Sequence, residues 1–338
     1  MKSSALSYLI LFVCTSVLSS CAYYDAYKKE NVAQDGFVYV YSTKSKAQSL
    51  ETFADSLFLD KAQFFKSLEL LSDTNKWKAG KYKLVKGMTD KDLLNLLESG
   101  RKETVKITLT YGRIPENFIG RVCKKIEADS AKLMTMLNDE EYVASLGTNL
   151  QNVMTLFIPN TYEFYWDTDE DEFMQRMKKE HNKFWNEERL RKCDSLKLTP
   201  EQVYTLGSIV QSEQSKIKEE WPIIAGLYLN RLRIGMPLES DPTLLFPIRD
   251  FTAKRVYNYH KLIDSPYNTY KNLGLPPGPI CMVQPGVIDA VLNPASHKYL
   301  FMCASEKLDG THRFEVSLAA HNRNAALYRA AINRLKIR

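Results

Sequence analysis

The stretch TPEQVYTLGSIVQSE, residues 199–213, predicts a helix on which the last third of the chain can pack. It opens with a threonine, a favoured N-cap, then a proline that suits the first helical position, and it has a glutamine at the capping-box position. Val203, Leu206 and Val210 recur at intervals of three and four residues, so they share one stripe of the helix. The stretch therefore has a defined start and one apolar face.

The next position on this stripe is a carboxylate, Glu213, one heptad after Leu206. Glu213 must either reach the edge of the stripe or be partly buried. Partial burial disfavours the charged form and raises the pKa, which a general acid working near neutral pH requires. A frayed helix end with a solvated glutamate is the alternative interpretation.

Length and composition indicate an ordinary globular protein of about two domains. The chain has 338 residues, 44% of them hydrophobic and 25% charged, which is enough for a sizeable core. The formal net charge of +6 is modest and is not gathered into a basic block. We therefore predict no nucleic-acid binding.

The cysteines and histidines predict neither a metal site nor a compact disulfide framework. No pair of them has the spacing of metal ligands, and the cysteines after residue 21 lie far apart. Those cysteines are Cys123, Cys193, Cys281 and Cys303. We predict scattered thiols, no metal and no cofactor.

The first 21 residues predict export. Lys2 precedes an apolar run, Ala5–Leu18, of about 14 residues, nearer the h-region of a signal peptide than the roughly 20 residues that span a bilayer. The run ends in LSSC, which resembles the bacterial lipobox, so lipid attachment at Cys21 is favoured over an uncleaved single-pass membrane anchor. In both cases we expect the protein in the bacterial cell envelope, membrane-anchored and facing the periplasm.

The rest of the chain divides into four predicted regions, and the fold class is α+β. Residues 22–35 are polar and predict a short tether. Strands and short helices alternate over residues 36–104, which indicates a small α/β module. Residues 105–198 are predicted to be a largely helical linking region, and residues 199–338 hold the candidate chemistry.

A stiff loop, DSPYNTYKNLGLPPGPI, occupies residues 264–280. Its prolines remove backbone donors and bias their predecessors toward extended geometry, so it forms neither a helix nor an interior strand. Aromatic and amide-bearing loops on a rigid scaffold are often binding surfaces, and a merely structural connection is the alternative.

Several motifs follow one another in the last half of the chain. They are SIVQSE at 208–213, NRLRIGM at 230–236, SDPT at 240–243, SPYNTY at 265–270, GLPPGPI at 274–280 and HN at 321–322. In this order they closely resemble the MltG (YceG-like) family of endolytic murein transglycosylases. Residues 78–82 and 96–100 are similar to that family's LysM-like subdomain, and residues 159–162 to its Pro-Asp-Thr-Trp segment.

The resemblance implies a LysM-like module over residues 36–104, followed by a mixed α/β catalytic domain with a YceG-like fold. It implies that Glu213 is the catalytic residue, because Glu213 stands where the family has its catalytic glutamate. Gln211 and Gln214 depart from the pattern, which has a glutamate and a threonine there. Gln211 is about 200° around the helix from Glu213, so we expect it outside the same pocket.

The stiff loop and the resemblance together suggest which side chains contact a glycan. Aromatic rings can stack on sugar faces, while amide and hydroxyl groups can bond acetamido and hydroxyl groups. The predicted substrate-binding residues are Tyr267, Asn268, Thr269, Tyr270, Asn230, Asp241, Thr243 and Glu239. Glu239 stands where relatives commonly have a glutamine.

The resemblance implies non-hydrolytic cleavage between N-acetylmuramic acid and N-acetylglucosamine of peptidoglycan, leaving 1,6-anhydro ends, in cell-wall assembly. The implied partners are glycan strands, the membrane and cell-wall synthases. Two alternatives stay open: a muramidase that admits water, and a catalytically weak peptidoglycan-binding scaffold, which the glutamine at position 211 would suit. The N-terminal module would be either a glycan binder or a spacer.

Overall fold

Helices make up most of the regular structure in the computed structural model, which describes residues 23–43, 45–252 and 256–334. The helices are Lys46–Glu51 (α1), Lys61–Leu71 (α2), Asp90–Ser99 (α3), Ile119–Cys123 (α4), Ser130–Leu137 (α5), Glu140–Ser145 (α6), Glu170–Phe184 (α7), Glu187–Leu196 (α8), Pro200–Glu213 (α9), Trp221–Arg233 (α10), Pro242–Leu245 (α11), Pro285–Leu292 (α12) and Leu318–Arg334 (α13). The strands are Gly36–Val40 (β1), Gly80–Leu84 (β2), Thr104–Thr108 (β3), Thr161–Tyr165 (β4), Phe301–Ala304 (β5) and His312–Glu315 (β6). They pair as β1–β2, β3–β4 and β5–β6, and the predicted α+β class is confirmed.

The chain forms two units, here called the N-terminal unit and the C-terminal unit. The N-terminal unit contains the described residues up to Ile107 together with 122–128 and 163–169, and the C-terminal unit contains the rest. The predicted signal peptide and the predicted lipid-attachment site Cys21 lie outside the described residues. Within the described ranges, no helix is long and apolar enough to cross a membrane.

The N-terminal unit is built on the antiparallel pair β1–β2, in register from Gly36 opposite Leu84 to Val40 opposite Gly80. Alternate residues of a strand point to opposite faces, and Val38 and Val40 point into the core with α1, α2 and α3. The side chains of Phe37 and Tyr39 lie on the other face and are at least partly exposed.

Part of the predicted tether packs into this unit. Asn31 is buried, and its amide donates to Asp90 Oδ1 at 2.7 Å and to the Asp60 carbonyl at 2.9 Å. Ser67 Oγ also donates to the buried Asp90, at 2.6 Å. Because a buried carboxylate requires hydrogen-bond donors, Asn31 contributes to the folding of the unit.

The C-terminal unit is built around α9. Thr199 and Gln202 form the predicted capping box, which confirms the start of the helix. Every residue from Val203 to Gln211 is buried, so α9 is enclosed on all sides and not on one stripe alone. Helices α10 and α12 pack against it and cover the faces that the apolar pattern left open.

The polar residues of α9 are bonded to the segment that enters α12. Ser208 Oγ accepts from the Ile280 amide at 3.0 Å. The Gln211 amide donates to the Met282 carbonyl at 2.8 Å, and its oxygen accepts from the Gln284 amide at 2.8 Å. Gln211 therefore supports the core, on a side of α9 away from Glu213, as its position around the helix predicts.

Candidate active site

A cavity of about 420 Å³ lies at the carboxyl end of α9, within the C-terminal unit. This volume lies within the range of small-ligand sites. The lining includes one carboxylate from α9, two from the loop before α11 and two histidines. These residues are Glu213, Glu239, Asp241, His312 and His321.

Glu213 is the last residue of α9, and one of its oxygens receives two hydrogen bonds. The Tyr228 hydroxyl of α10 donates to Glu213 Oε1 at 3.0 Å. The Ser240 hydroxyl donates to the same oxygen at 2.5 Å. Both donors are buried, whereas Glu213 is partly exposed where it lines the cavity. The carboxyl group is therefore fixed through Oε1.

The pKa of Glu213 is raised above its ordinary value. Burial is the largest cause, because a desolvated carboxylate is disfavoured, and the nearby charge of Asp241 acts in the same direction. The hydrogen bonds from Ser240 and Tyr228 and the charge of His312 act in the opposite direction without cancelling it. The carbonyl end of α9 also disfavours a negative charge. Glu213 thus retains its proton at a higher pH than an exposed glutamate does.

Buried hydroxyls hold Ser240 in place. The Ser240 amide donates to Thr269 Oγ1 at 3.0 Å, and Thr269 Oγ1 lies 2.8 Å from Thr243 Oγ1. Thr243 Oγ1 donates back to the Ser240 carbonyl at 2.6 Å. The sequence predicts that Thr243 and Thr269 contact substrate, but both are buried and bonded to the backbone that carries Ser240. Their place in the fold is behind the cavity wall.

The stiff loop lines the cavity through Tyr270. The Tyr270 hydroxyl donates to Asp241 Oδ1 at 2.6 Å. Asn268 is fully buried and its amide donates to the carbonyls of Lys261 and Ile263, so it shapes the loop. Tyr267 packs on Phe246, with ring centroids 4.8 Å apart. Of the four predicted loop residues, Tyr270 is therefore the one that lines this cavity.

The proline-rich turn that follows packs elsewhere in the C-terminal unit. A Cβ at Gly278 would lie 2.0 Å from the Gln151 carbonyl oxygen, so only glycine permits this approach. Asn152 donates to the Pro277 carbonyl at 3.1 Å. Pro276 and Pro277 line a separate groove of about 710 Å³. The turn is an anchor for the loop and not a wall of the Glu213 cavity.

Asn230 and Glu239 differ in their placement. Asn230 is buried, and its amide donates to the carbonyls of His297 at 2.9 Å and Tyr299 at 3.1 Å, so it does not line the cavity. Glu239 does line it, with a left-handed φ of 50° and an oxygen 3.2 Å from Arg231 Nη1. The buried Arg231 also donates to the Pro237 and Leu238 carbonyls, which fixes the path of this loop.

A buried polar cluster beside the cavity was not predicted from sequence. Glu220 Oε2 lies 2.7 Å from His312 Nδ1 and accepts from the Gln214 amide at 2.9 Å. Gln214 also donates to the Gly310 carbonyl, so this departure from the family pattern joins α9 to the β5–β6 connection. His321 lines the cavity, and its Nδ1 is buried with no hydrogen-bond partner among the described residues. Burial lowers the pKa of His321.

Sequence signals for the two donors to Glu213 are weak. Ser240 lies within the SDPT motif, but a serine in a loop carries no mark of the residue it will bond. Tyr228 lies among apolar residues of α10 and is indistinguishable from a core tyrosine. In the described ranges, no group of three or more His, Cys, Asp or Glu side chains could hold a metal ion.

Known proteins are similar over most of the chain. The endolytic murein transglycosylase of Bacillus subtilis (strain 168) is 28% identical over 273 residues, 76% of this chain and 74% of that protein. The protein of the same name from Streptococcus pneumoniae (strain D39) is 28% identical over 286 residues, 74% of this chain and 50% of its own length. The chain thus spans about half of the streptococcal relative.

A solved structure and a family model agree with these relatives. The crystal structure of a putative yceG-like protein from Listeria monocytogenes is 25% identical, with a TM-score of 0.56 over 86% of this chain and 98% of that one. The model of the YceG-like family matches residues 38–327. Because that match covers most of the sequence, the chain belongs to the YceG-like family.

Proposed function

We propose that this protein is a membrane-tethered endolytic transglycosylase that cleaves peptidoglycan between N-acetylmuramic acid and N-acetylglucosamine, leaving 1,6-anhydro ends. The observation that carries the proposal is the placement of Glu213, a carboxyl group that ends a buried helix at a cavity and is held through one oxygen. The relatives named endolytic murein transglycosylases support murein as the substrate and transglycosylation as the reaction.

Glu213 serves in turn as acid and as base. The protonated carboxyl donates its proton to the glycosidic oxygen as the bond from that oxygen to C1 of the muramyl ring breaks. The carboxylate then takes the proton of the muramyl 6-hydroxyl while O6 bonds to C1. Atoms balance without water, and Glu213 ends in its protonated starting form. One group with a raised pKa is sufficient for both steps.

The bonding pattern of Glu213 selects the oxygen that carries the proton. Oε1 accepts two hydroxyl hydrogens, so a proton placed on it would compete with Tyr228 or Ser240. Among the described residues Oε2 has no such bond. The acidic proton therefore resides on Oε2, which is the oxygen that reacts.

Hydrolysis is the rival reaction, because Asp241 supplies a second carboxylate to the cavity. Glycoside hydrolases use such a pair, one member as acid and the other as nucleophile or as base for water. The Asp241 carboxylate is bonded to Tyr270, and both lie at the wall. We assign Asp241 the electrostatic stabilisation of the cationic transition state, with Tyr270 as a ring against which a sugar can stack.

A scaffold that binds glycan without cleaving it is the second rival, and the glutamines at positions 211 and 214 are its basis. Gln211 bonds the Met282 and Gln284 backbone, and Gln214 bonds Glu220 and Gly310. Neither glutamine bonds to the carboxyl group of Glu213. Both support the surrounding loops, so these substitutions are compatible with a working acid.

Replacing Glu213 by glutamine should lower product formation by about 10²–10⁴-fold, the range for loss of a general acid. The assay is mass spectrometry of purified peptidoglycan after digestion. The wild-type product should be about 18 Da lighter than the hydrolytic product, since no water is added. Glu219→Gln, on an exposed neighbouring residue, is the matched control and should remain active.

Two results would count against this assignment. Full activity of Glu213→Gln would show that Glu213 is not the catalytic acid. Products with the mass of the hydrolytic product would indicate a muramidase reaction instead of transglycosylation. An inactive wild-type chain that still sediments with peptidoglycan would establish the scaffold.

Replacing Ser240 by alanine should move the alkaline limb of the kcat/KM profile to higher pH. The Ser240 bond lowers the pKa of Glu213, so its loss raises that pKa further and keeps the acid protonated over a wider range. Ser215→Ala, at an exposed site, is the control and should leave the limb in place. If the alkaline limb of Ser240→Ala is unchanged or moves to lower pH, the hydrogen bond from Ser240 does not lower the pKa of Glu213.

Glu213→Gln should raise the free energy of unfolding at pH 7 and leave it unchanged near pH 4. The folded-state pKa of Glu213 is raised, so the folded protein binds more protons than the unfolded one between the ordinary and the raised pKa. Stability therefore falls as pH rises through that window, and below it both states are protonated. Urea unfolding at both pH values measures the difference, and equal stability of the two proteins at pH 7 would refute desolvation of the carboxyl group.

Anchoring through Cys21 is part of the proposal and places the protein at the bacterial cell envelope, facing the periplasm. Cys21→Ser should release the protein from the membrane fraction, because the lipid would be lost. Immunoblots of fractionated cells measure this, with Cys14→Ser as the control. Retention of Cys21→Ser in the membrane would favour the uncleaved anchor. Cell-wall synthases remain the partners we propose.

A further inference from the structure

The outer face of the β1–β2 sheet carries aromatic side chains that the core does not use. Val38 and Val40 face the core, so Tyr39 lies on the opposite face, and Tyr41 continues that face beyond the strand. The indole of Trp166 lies against both rings, with centroids 4.9 Å from Tyr39 and 4.9 Å from Tyr41. All three side chains are partly exposed.

These rings line a groove of about 640 Å³ together with four lysines. We call it the aromatic–lysine groove; its lysines are Lys81, Lys106, Lys124 and Lys125. All the groove residues belong to the N-terminal unit, whereas the Glu213 cavity belongs to the C-terminal unit. The groove is therefore a separate site.

No carboxylate is among the residues that line the groove. Glu163 lies 3.7 Å from Lys106, and both are exposed, so this pair neutralises little. The carboxylate of Glu127 is engaged by the backbone and hydroxyls of Ser42 and Thr43. Lys81 holds its ammonium group over the neighbouring Phe37 ring, which leaves its charge in place. Four lysine side chains and three rings thus form a surface suited to an anionic ligand with flat apolar faces.

We propose that the aromatic–lysine groove binds a carbohydrate chain that carries anionic groups. Sugar rings stack on Trp166 and the tyrosines, while the lysines bind the anions. This proposal rests on the proposed function for the nature of the polymer, because single-stranded nucleic acid also combines stacking faces with negative charge. The anions would be peptide carboxylates of peptidoglycan or phosphates of another wall polymer.

Binding is tested with the full chain carrying Glu213→Gln, so that the probes are not cleaved. The probes are soluble peptidoglycan fragments with their peptides, a glycerol-phosphate oligomer, neutral chitohexaose and a single-stranded oligonucleotide. Lys124→Gln/Lys125→Gln is compared with Lys66→Gln/Lys86→Gln, which makes the same charge change at exposed sites of the same unit outside the groove. Trp166→Ala tests stacking of the sugar rings. If that variant fails to fold, the comparison of the two lysine variants tests the proposal without it.

The Lys124/Lys125 variant should bind an anionic glycan probe about 5–10-fold more weakly, with a flatter dependence on salt, and the control pair should match the parent. Whichever anionic probe binds more tightly identifies the source of the charge. Neutral chitohexaose should bind equally to the parent and to both lysine variants. Equal affinity of the two lysine variants for the anionic probes, or tighter binding of the oligonucleotide than of any glycan, would overturn the proposal.

The transglycosylase reaction and glycan binding at the aromatic–lysine groove can be tested separately. In chains that retain Glu213, the Lys124/Lys125 substitutions should leave the yield of anhydro products from short soluble fragments unchanged. Absence of anhydro products in every variant would refute the transglycosylase reaction, while the affinities would still decide whether the groove binds anionic glycan.

Discussion

Desolvation of the Glu213 carboxyl group is the constraint on which the arrangement of the C-terminal unit depends. Helix α9 is enclosed from Val203 to Gln211 and delivers a carboxyl group to the place where the enclosure opens into a cavity. An isolated buried carboxylate would be costly, and two hydroxyl donors reduce this cost. Tyr228 comes from α10 and Ser240 from the following loop, so both the packing of α10 on α9 and the path of that loop are needed to bring these donors to Glu213.

The path of that loop depends on buried side chains that bond to its backbone. Thr243 and Thr269 bond to each other and to the backbone of Ser240, and Arg231 holds the preceding carbonyls. Buried polar networks are stable when every member is satisfied, and they then specify one geometry. A displacement of Ser240 by about 1 Å would change both the pKa of Glu213 and the orientation of its carboxyl group. The bonds from Thr243, Thr269 and Arg231 oppose such a displacement.

Local patterns predicted the elements, and long-range contacts decided the site. The cap at Thr199 and the spacing of Val203, Leu206 and Val210 depend on neighbours a few residues apart, and the structure bears them out. Tyr228 and Ser240 meet Glu213 across 15 and 27 residues, which no periodicity encodes. Composition does not indicate which way a side chain points either.

The stiff loop shows this limit most clearly. Asn268 and Thr269 have the chemistry of sugar-binding residues, yet both point inward and bond to protein groups. Tyr270, next in the chain, points to the cavity. Polar side chains in a proline-rich loop must first satisfy the loop's own backbone, and only the remainder are available to a ligand.

In the proposed reaction, the partition between transglycosylation and hydrolysis does not require that the Glu213 cavity exclude water. The muramyl 6-hydroxyl belongs to the same ring as C1, so its attack is intramolecular, and well-oriented intramolecular reactions reach effective molarities of roughly 10⁵–10⁸ M. Bulk water is far less concentrated than this. A ring conformation that brings O6 toward C1 is therefore sufficient for the anhydro product to dominate, even in a cavity that also carries Asp241. In the proposed reaction, contacts that select this conformation, such as the proposed stacking on Tyr270, therefore decide the product more than the exclusion of water does.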